Sequence, residues 1–343
     1  MQVRWEKLER NLKENKLDAF LLTSSVNIFY FSGLYIDGTV LFTPQKKFVF
    51  TSPMYEEEAK KGENEWEVII CRNSLEKKIS KISGMTGVKT CGFEANRVSF
   101  AAYKKIKENL QLKLIACYNI VEKIRSVKDE KEIELIQKAE KITSNTFEYL
   151  KKILHPGITE KELAREGINY ILKWADDISF PPIVLFGERT SLPHAHPANR
   201  ELKENDLVLI DIGAKVKGYC ADMTRTFLWN EPSGRWEKIL TLVNDVKKKA
   251  ISFIKPGVKS SEIDKVVREE FARAGYEKNF LHGTGHGVGL EVHEEPFLNR
   301  SCLTPLREGM VVTVEPGVYF TGEGGVRIED MVLVTNRGGK ILL

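Results

Sequence analysis

The chain contains no run of about 18 apolar residues, the length a bilayer-spanning helix needs, so no membrane partner is expected. No charge sign dominates either. The 52 Lys and Arg against 48 Asp and Glu leave a net charge of only +4. Without a basic stripe, nucleic acid is not the expected partner. Cysteine is scarce and odd in number: Cys71, Cys91, Cys117, Cys220 and Cys302 are scattered, with no C-x-x-C pair. That excludes a disulfide framework and a thiolate-rich metal site, and predicts a reduced, cytoplasmic setting. The opening MQVRWEKLERNLKENK lacks an apolar core, so no secretion signal is expected. No Pro/Gly/Ser-rich linker interrupts the chain, although 343 residues favour two domains.

The first third is a mixed pattern. WEKLERNLKENK reads as an amphipathic helix. DAFLLT, TVLFT, KFVFT, WEVIIC, KTCGFE and LKLIACY read as short strands, with helical pieces near PMYEEEAKK, LEKKISKI and AAYKKIKENL. The alternation predicts a mixed α/β layer domain over 1–123. NIFYFSGLY within it reads equally as core or, through Asn27, Tyr30 and Tyr35, as a reach towards a neighbouring site. A second domain, 124–343, opens on a long charged amphipathic helix, KDEKEIELIQKAEKITSNTFEYLKKI.

The second domain contains a repeat. LHPGITEKEL at 154–163 returns one hundred residues later as IKPGVKSSEI at 254–263. A long helix precedes each copy, and strand-rich stretches follow. The strands after the first copy carry Asp211 and Asp222, in DIGAKVKGYCADMTRTF. Those after the second carry Glu315, in VVTVEPGVYF, and Glu329, in GGVRIEDMVLV. One acid among apolar residues is ordinarily a strand end or turn. Four in a duplicated frame call for a cation, because an isolated buried carboxylate is very costly.

Five of the six histidines, His194, His196, His282, His286 and His293, fall within the same stretch as the acids; His155 sits at the first Pro-Gly turn. FLHGTGHGVGLEVHEEP holds three of them among glycines 283, 285, 287 and 289, which predicts unusual backbone angles and a close approach to a ligand. A phosphate loop would need a following Lys-Ser/Thr, which is absent. Four carboxylates with imidazole form an oxygen-rich set suited to manganese or cobalt, with iron or zinc also compatible. Two divalent ions, rather than one, balance the charge of four carboxylates, and two-metal sites activate a water between them. Cys220 reads as a small core residue rather than a ligand.

Together DIGAKVKGYCADMTRTF, HGTGHGVGLEVHEEP, TVEPGVY and GGVRIED resemble the pita-bread dinuclear metallopeptidases: prolidase, aminopeptidase P and methionine aminopeptidase. The resemblance covers about residues 124–343 and implies a pseudo-two-fold duplicated α+β catalytic domain. The first domain is similar to the creatinase/prolidase type, which simple methionine aminopeptidases lack. By this resemblance the metal ligands are Asp211, Asp222, His286, Glu315 and Glu329. Glu315 is expected to bridge the ions and take a proton from the attacking water. His194, His282 and His293 match the histidines that bind substrate and intermediate, with His293 stabilising the oxyanion. Arg327 is expected to pair with a ligand carboxylate and orient it.

The implied reaction is hydrolysis of the bond between an N-terminal residue and a following proline, in short peptides. Proline fixes φ and lacks the N–H, which favours a dedicated peptidase. Many prolidases place an arginine just after the HExP element to hold the dipeptide carboxylate. Here Phe297 takes that place in HEEPFLNR, and Arg300 follows three residues later. This departure favours an aminopeptidase P-like enzyme. Prolidase, with Arg300 as a substitute, is the alternative; methionine aminopeptidase and a non-enzymatic peptide-binding module stand further off. The resemblance also implies a homodimer.

Overall fold

In a computed structural model, residues 2–62, 66–73, 75–230 and 234–342 are described, and the chain divides into two compact units, Met1–Arg125 and Ser126–Leu343. Among the described residues no helix is long and apolar enough to cross a membrane.

The first unit runs α1 (Gln2–Glu14), β1 (Ala19–Leu22), α2 (Ser25–Ser32), β2 (Gly38–Phe42), β3 (Lys47–Thr51), α3 (Glu56–Lys60), β4 (Glu67–Ile70), α4 (Leu75–Met85), β5 (Thr90–Glu94), α5 (Phe100–Asn109), β6 (Lys113–Cys117) and α6 (Ile120–Ser126). The six strands form one mixed sheet in the order β4-β3-β2-β1-β5-β6. β1, β2 and β3 are antiparallel neighbours, whereas β4, β5 and β6 join in parallel. This is the expected layer domain. Helix α2 carries most of NIFYFSGLY, a stretch to which the sequence reading gave no element. Its residues are buried on most sides, including Asn27, Ile28, Tyr30 and Phe31, so it shows no amphipathic period. Its N-terminal end is met by the Glu94 carboxylate of β5, which accepts from Thr23 N at 2.6 Å, Ser24 N at 2.9 Å and Asn27 Nδ2 at 2.6 Å. Asn27 and Tyr30 are therefore core, while Tyr35 is exposed.

The second unit is a duplication. Its first half contains α7 (Glu130–Ile153), α8 (Glu160–Leu172), β7 (Asp177–Ile178), β8 (Ile183–Phe186), β9 (Leu207–Ile212), β10 (Ala214–Val216), β11 (Tyr219–Cys220) and β12 (Met223–Leu228). Its second half contains α9 (Gly234–Phe253), α10 (Ser260–Arg273), β13 (Gly285–Gly287), β14 (Glu294–Leu298), β15 (Val311–Val314), β16 (Gly317–Phe320), β17 (Gly324–Arg327), β18 (Asp330–Thr335) and β19 (Gly338–Ile341). The sheet β12-β9-β8 matches the run β18-β15-β13 of the sheet β14-β13-β15-β18-β19. Each half thus has two helices, a three-strand core and a hairpin inserted between its two central strands.

The repeated ten-residue motif is a turn feeding a helix. Gly157 and Gly257 sit at φ 86° and 90°, a left-handed conformation that favours glycine. Gly157 N then donates to Leu202 O, and Gly257 N to Leu306 O, so each turn is stitched to the same place in its own half. Thr159 caps α8 in a reciprocal box with Glu162. In the second copy the Lys259 side chain cannot accept a hydrogen bond, and of the side-chain half of the box only the Glu262 carboxylate, accepting from Lys259 N at 2.8 Å, remains. Helix α7 begins on a full box between Asp129 and Glu132. Leu150 and Leu163 pack on Val184, Val208 and Ile210 in one half; Val243, Val246, Ile263 and Phe271 pack on Val312, Val314, Val332 and Val334 in the other.

Gly213 closes the end of β9 against the returning chain. A Cβ there would lie 2.0 Å from the Ala221 carbonyl oxygen, a backbone atom that cannot yield cheaply. Gly213→Ala should therefore cost about 1–3 kcal/mol of stability. Gly84→Ala in α4, where a Cβ meets nothing within 4 Å, should be neutral or stabilising by up to about 1 kcal/mol. Chemical denaturation of both variants checks the contrast.

Candidate metal centre

Strand pairing brings the four acids together. In β9, Asp211 lies opposite Thr224 of β12 and Ile183 of β8. Asp222 immediately precedes β12, so continuing the register sets it diagonally across from Asp211 on one face. In the other half Val314 lies opposite Asp330. One step further, Glu315 and Glu329 face each other. His286 comes from β13, which pairs with β15. Asp211 and Glu315 follow the apolar runs of β9 and β15, whereas Asp222 and Glu329 directly precede β12 and β18.

Three overlapping groups each place one ligand atom per residue within 4.8 Å: Asp211, Asp222 and Glu329; His286, Glu315 and Glu329; and Asp222, His286 and His293. Asp211, Asp222, His286 and Glu329 are buried; Glu315 is half-buried and His293 is exposed at the rim. His286 Nε2 stands 3.3 Å from Glu315 Oε1 and 3.6 Å from Asp222 Oδ2. Glu329 is shared by the first two groups, Asp222 by the first and third, and His286 by the second and third. Glu315 lies beside His286 and accepts a hydrogen bond from the Thr313 hydroxyl at 3.2 Å.

These residues fit a metal. Asp211 Oδ1 and Glu329 Oε1 are buried with no hydrogen-bond partner, although ionised carboxylate oxygens in that position demand one. Burial, followed by the charges of its neighbours, pushes the carboxyls of Asp222 and Glu329 well above their usual range. Burial also raises Asp211, against the opposing pull of Arg327. Burial acts to raise Glu315 too, but hydrogen bonding and charge from His286 hold it down to about 2. Without a cation, the cluster must keep protons on some of its acids.

Arg327, at the end of β17, is 2 % exposed and serves both halves. Its Nη2 donates to Asp211 Oδ2 at 2.7 Å, Nε to Thr224 Oγ1 at 3.1 Å, and Nη1 to the Tyr319 hydroxyl at 3.0 Å and Pro193 O at 3.2 Å. The last contact holds the loop that carries His194. Tyr319 was not singled out in the sequence; only its place in TVEPGVY marks it. Its hydroxyl accepts from Arg327 and so donates its own proton to His282 Nε2, 2.9 Å away. His282 Nδ1 lies 2.7 Å from the Gly283 carbonyl, which can only accept, so the proton sits on Nδ1. Burial lowers the proton affinity of His282 and keeps the ring neutral. Both its nitrogens are hydrogen-bonded within the protein, and its ring also lines the cleft over the cluster. Thr224, also not singled out, donates to Glu329 Oε2 at 2.7 Å.

A cleft of about 200 Å³ opens over the cluster, lined by His194, His282, His286, His293, Phe297 and Glu315, with Asn299 and Arg327. His293 stacks edge-on against His286, ring centroids 4.2 Å apart, and burial and the His286 ring both lower its proton affinity. Arg300 does not line this cleft. It is exposed, 3.5 Å from Glu277, and borders a separate groove along α10, so it is no substitute for the arginine expected after HExP. His155 and His196 are exposed loop residues, and Cys220 is core. The glycines of HGTGHGVG have ordinary backbone angles, contrary to expectation. They are small because strands press on them: a Cβ at Gly285 would lie 2.0 Å from Thr313 O. GHG is strand β13, not a phosphate loop.

A strand-end cluster of carboxylates and imidazole in a duplicated α+β unit defines a metallohydrolase centre. Metallopeptidase family M24 matches residues 134–336, and the Creatinase/Prolidase N-terminal domain matches residues 4–127. The chain belongs to metallopeptidase family M24. It is 33% identical to the Xaa-Pro dipeptidase of Pyrococcus horikoshii over 347 residues, 100% of this chain and 97% of that one. Among solved structures, the Xaa-Pro dipeptidase from Bacillus anthracis superposes with a TM-score of 0.95 at 33% identity, covering 99% of this chain and 97% of that one. The X-Pro aminopeptidase from Thermotoga maritima superposes with a TM-score of 0.91 at 33% identity, covering 98% and 96%.

The acids have opposite effects on pH stability. Asp222 and Glu329, raised in the folded state, contribute stability that is present below their unfolded values near 4 and lost as pH rises through their folded values. Glu315, held down, contributes stability present above about 4 and lost as pH falls towards 2. With the raised pair dominant, chelator-treated protein should melt at lower temperature as pH goes from about 5 to 8. Added divalent metal should abolish that fall and release protons on binding. Scanning calorimetry across pH, with and without metal, checks both.

Proposed function

We propose that this chain is a two-metal Xaa-Pro peptidase that acts best on dipeptides. The observation that carries the reading is the buried acid and histidine cluster on the floor of a small cleft, in a chain with full-length similarity to Xaa-Pro dipeptidases. The relatives favour this alternative over the aminopeptidase P-like reading drawn from Phe297. At about 200 Å³ the cleft is smaller than the roughly 300–1,000 Å³ of drug-sized ligand sites, which suits a substrate of very few residues.

Asp211, Asp222 and Glu329 would hold one ion, and His286, Glu315 and Glu329 the other, with manganese or cobalt suited to the oxygen-rich set. When bound, such ions polarise a carbonyl and activate water at neutral pH. Arg327 keeps the Asp211 carboxylate oriented. Glu315, ionised and hydrogen-bonded to Thr313, accepts the proton of the attacking water, and a proton is returned to the proline nitrogen as its bond to the carbonyl carbon breaks. His293 and His194, exposed at the cleft, face the carbonyl being attacked and donate to its developing charge. Phe297, on the cleft wall, offers the proline ring an apolar surface. Asn299 is the neutral donor near it for the terminal carboxylate. Short peptides are thus the partners, and a homodimer is the assembly the family resemblance implies.

The test strips the protein of metal, adds back manganese or cobalt, and follows an Xaa-Pro dipeptide, an Xaa-Pro-Yaa tripeptide and a Met-Ala-Yaa control. The expected outcome is metal-dependent cleavage of the proline substrates, with kcat/KM at least tenfold higher for the dipeptide. A tripeptide preference would restore the aminopeptidase reading. No cleavage with two ions bound would sink the Xaa-Pro assignment.

A further inference from the structure

The two halves meet at a seam between β12 and β18, which belong to different sheets. On the cleft side of that seam stand the ligands. On the opposite side, under the helices, lies a charged cluster that the proposed reaction does not use. Arg225, three residues after Asp222, donates through Nη1 to the main-chain carbonyl of Glu329 and to Thr224 O, and through Nη2 to Asp330 Oδ1 at 2.8 Å. The second oxygen of Asp330 is held by Lys247 Nζ of α9 at 2.5 Å. Asp330 and Lys247 are buried, and Arg225 is half-buried. Glu140 of α7 lies in the same layer, with a carboxyl pushed up to about 8 by burial. Asp330 is the anion that both cations contact.

Residues 224 and 225 of the first half therefore hold Glu329 of the second at three points. Glu329 N donates to Thr224 O at 3.1 Å, its side chain accepts from the Thr224 hydroxyl, and its carbonyl accepts from Arg225. Charged hydrogen bonds under helices are a costly way merely to join two sheets, since apolar residues would do it at least as well. They do specify one distance between the halves. We propose that Arg225, with Asp330 and Lys247, is a positioning clasp that fixes the spacing between the Asp211/Asp222 pair and the Glu315/Glu329 pair, and so the affinity for the second ion. This rests on the two-ion reading above.

The experiment titrates chelator-stripped full-length protein with manganese by calorimetry, with metal content measured independently. The variants are Arg225→Lys, which keeps charge but loses the planar fork, Asp330→Asn and Lys247→Met. Arg235→Ala on α9, whose only salt bridge in the described residues is with exposed Glu323, is the control. Arg225→Lys and Asp330→Asn should weaken one ion at least tenfold and the other less than twofold. Lys247→Met should have a smaller effect in the same direction, and the control none. Folded variants with both affinities within twofold of the parent overturn the proposal, whatever their melting temperatures. Failure of all three to fold also overturns it, because the cluster would then be a general stability element. A parent protein that binds fewer than two ions sinks the two-ion reading and this inference with it. A parent that binds two, with unaffected variants, sinks this inference alone.

Discussion

Four carboxylates are forced into one buried volume, and the remainder of the catalytic unit is organised around that constraint. Their mutual repulsion and their loss of water both disfavour ionisation. Among the described residues, the protein answers with the fixed cation of Arg327, which pairs directly with Asp211. Two oxygens, Asp211 Oδ1 and Glu329 Oε1, are left without a donor. A fold that buried four acids for structure alone would have paired them. This one leaves the deficit for divalent cations, and the apolar strands behind the acids hold them at close range despite the repulsion.

Arg327 also transmits that arrangement outward. From Asp211 its guanidinium reaches Tyr319, and through Tyr319 it fixes the tautomer of His282; through Pro193 it steadies the loop of His194. One buried side chain thus couples the metal floor to the cleft wall. Lysine could not do this, because four separate acceptors need the planar fork.

The strands of the first domain, the duplicated frame and the acids were legible because each leaves a local trace. Alternating or apolar runs mark strands, a Pro-Gly turn before a capped helix recurs, and an acid interrupts an apolar run. What was not legible depends on partners distant in sequence. Helix α2 is capped by Glu94, about seventy residues away. Tyr319 matters only because Arg327 and His282 converge on its hydroxyl. The glycines of HGTGHGVG suggested a ligand loop, yet they answer to strands pressing from either side. Glu315 and Glu329 are alike in sequence context, and only the fold reveals that His286 stands beside Glu315. Arg300 was proposed on spacing alone, and the chain after Pro296 carries it away from the cleft.

The duplication explains how the site is built, and its departures from symmetry explain what the site does. Both halves present two acids from the ends of equivalent strands. Only the second half sets an imidazole against the acids from its own sheet, because β13 carries His286 where β8 reads Ile-Val-Leu-Phe. The inserted hairpins diverge in the same way. β10 and β11 turn towards β7 and complete a small sheet, whereas β16 and β17 carry Tyr319 and Arg327 back to Asp211 in the other half. A symmetric site would offer two equivalent positions with no preferred direction for a substrate. Here Glu315 stands beside an imidazole at the open cleft, whereas Asp211 stands beside a buried guanidinium. On the proposed reading, that difference gives a substrate a preferred direction.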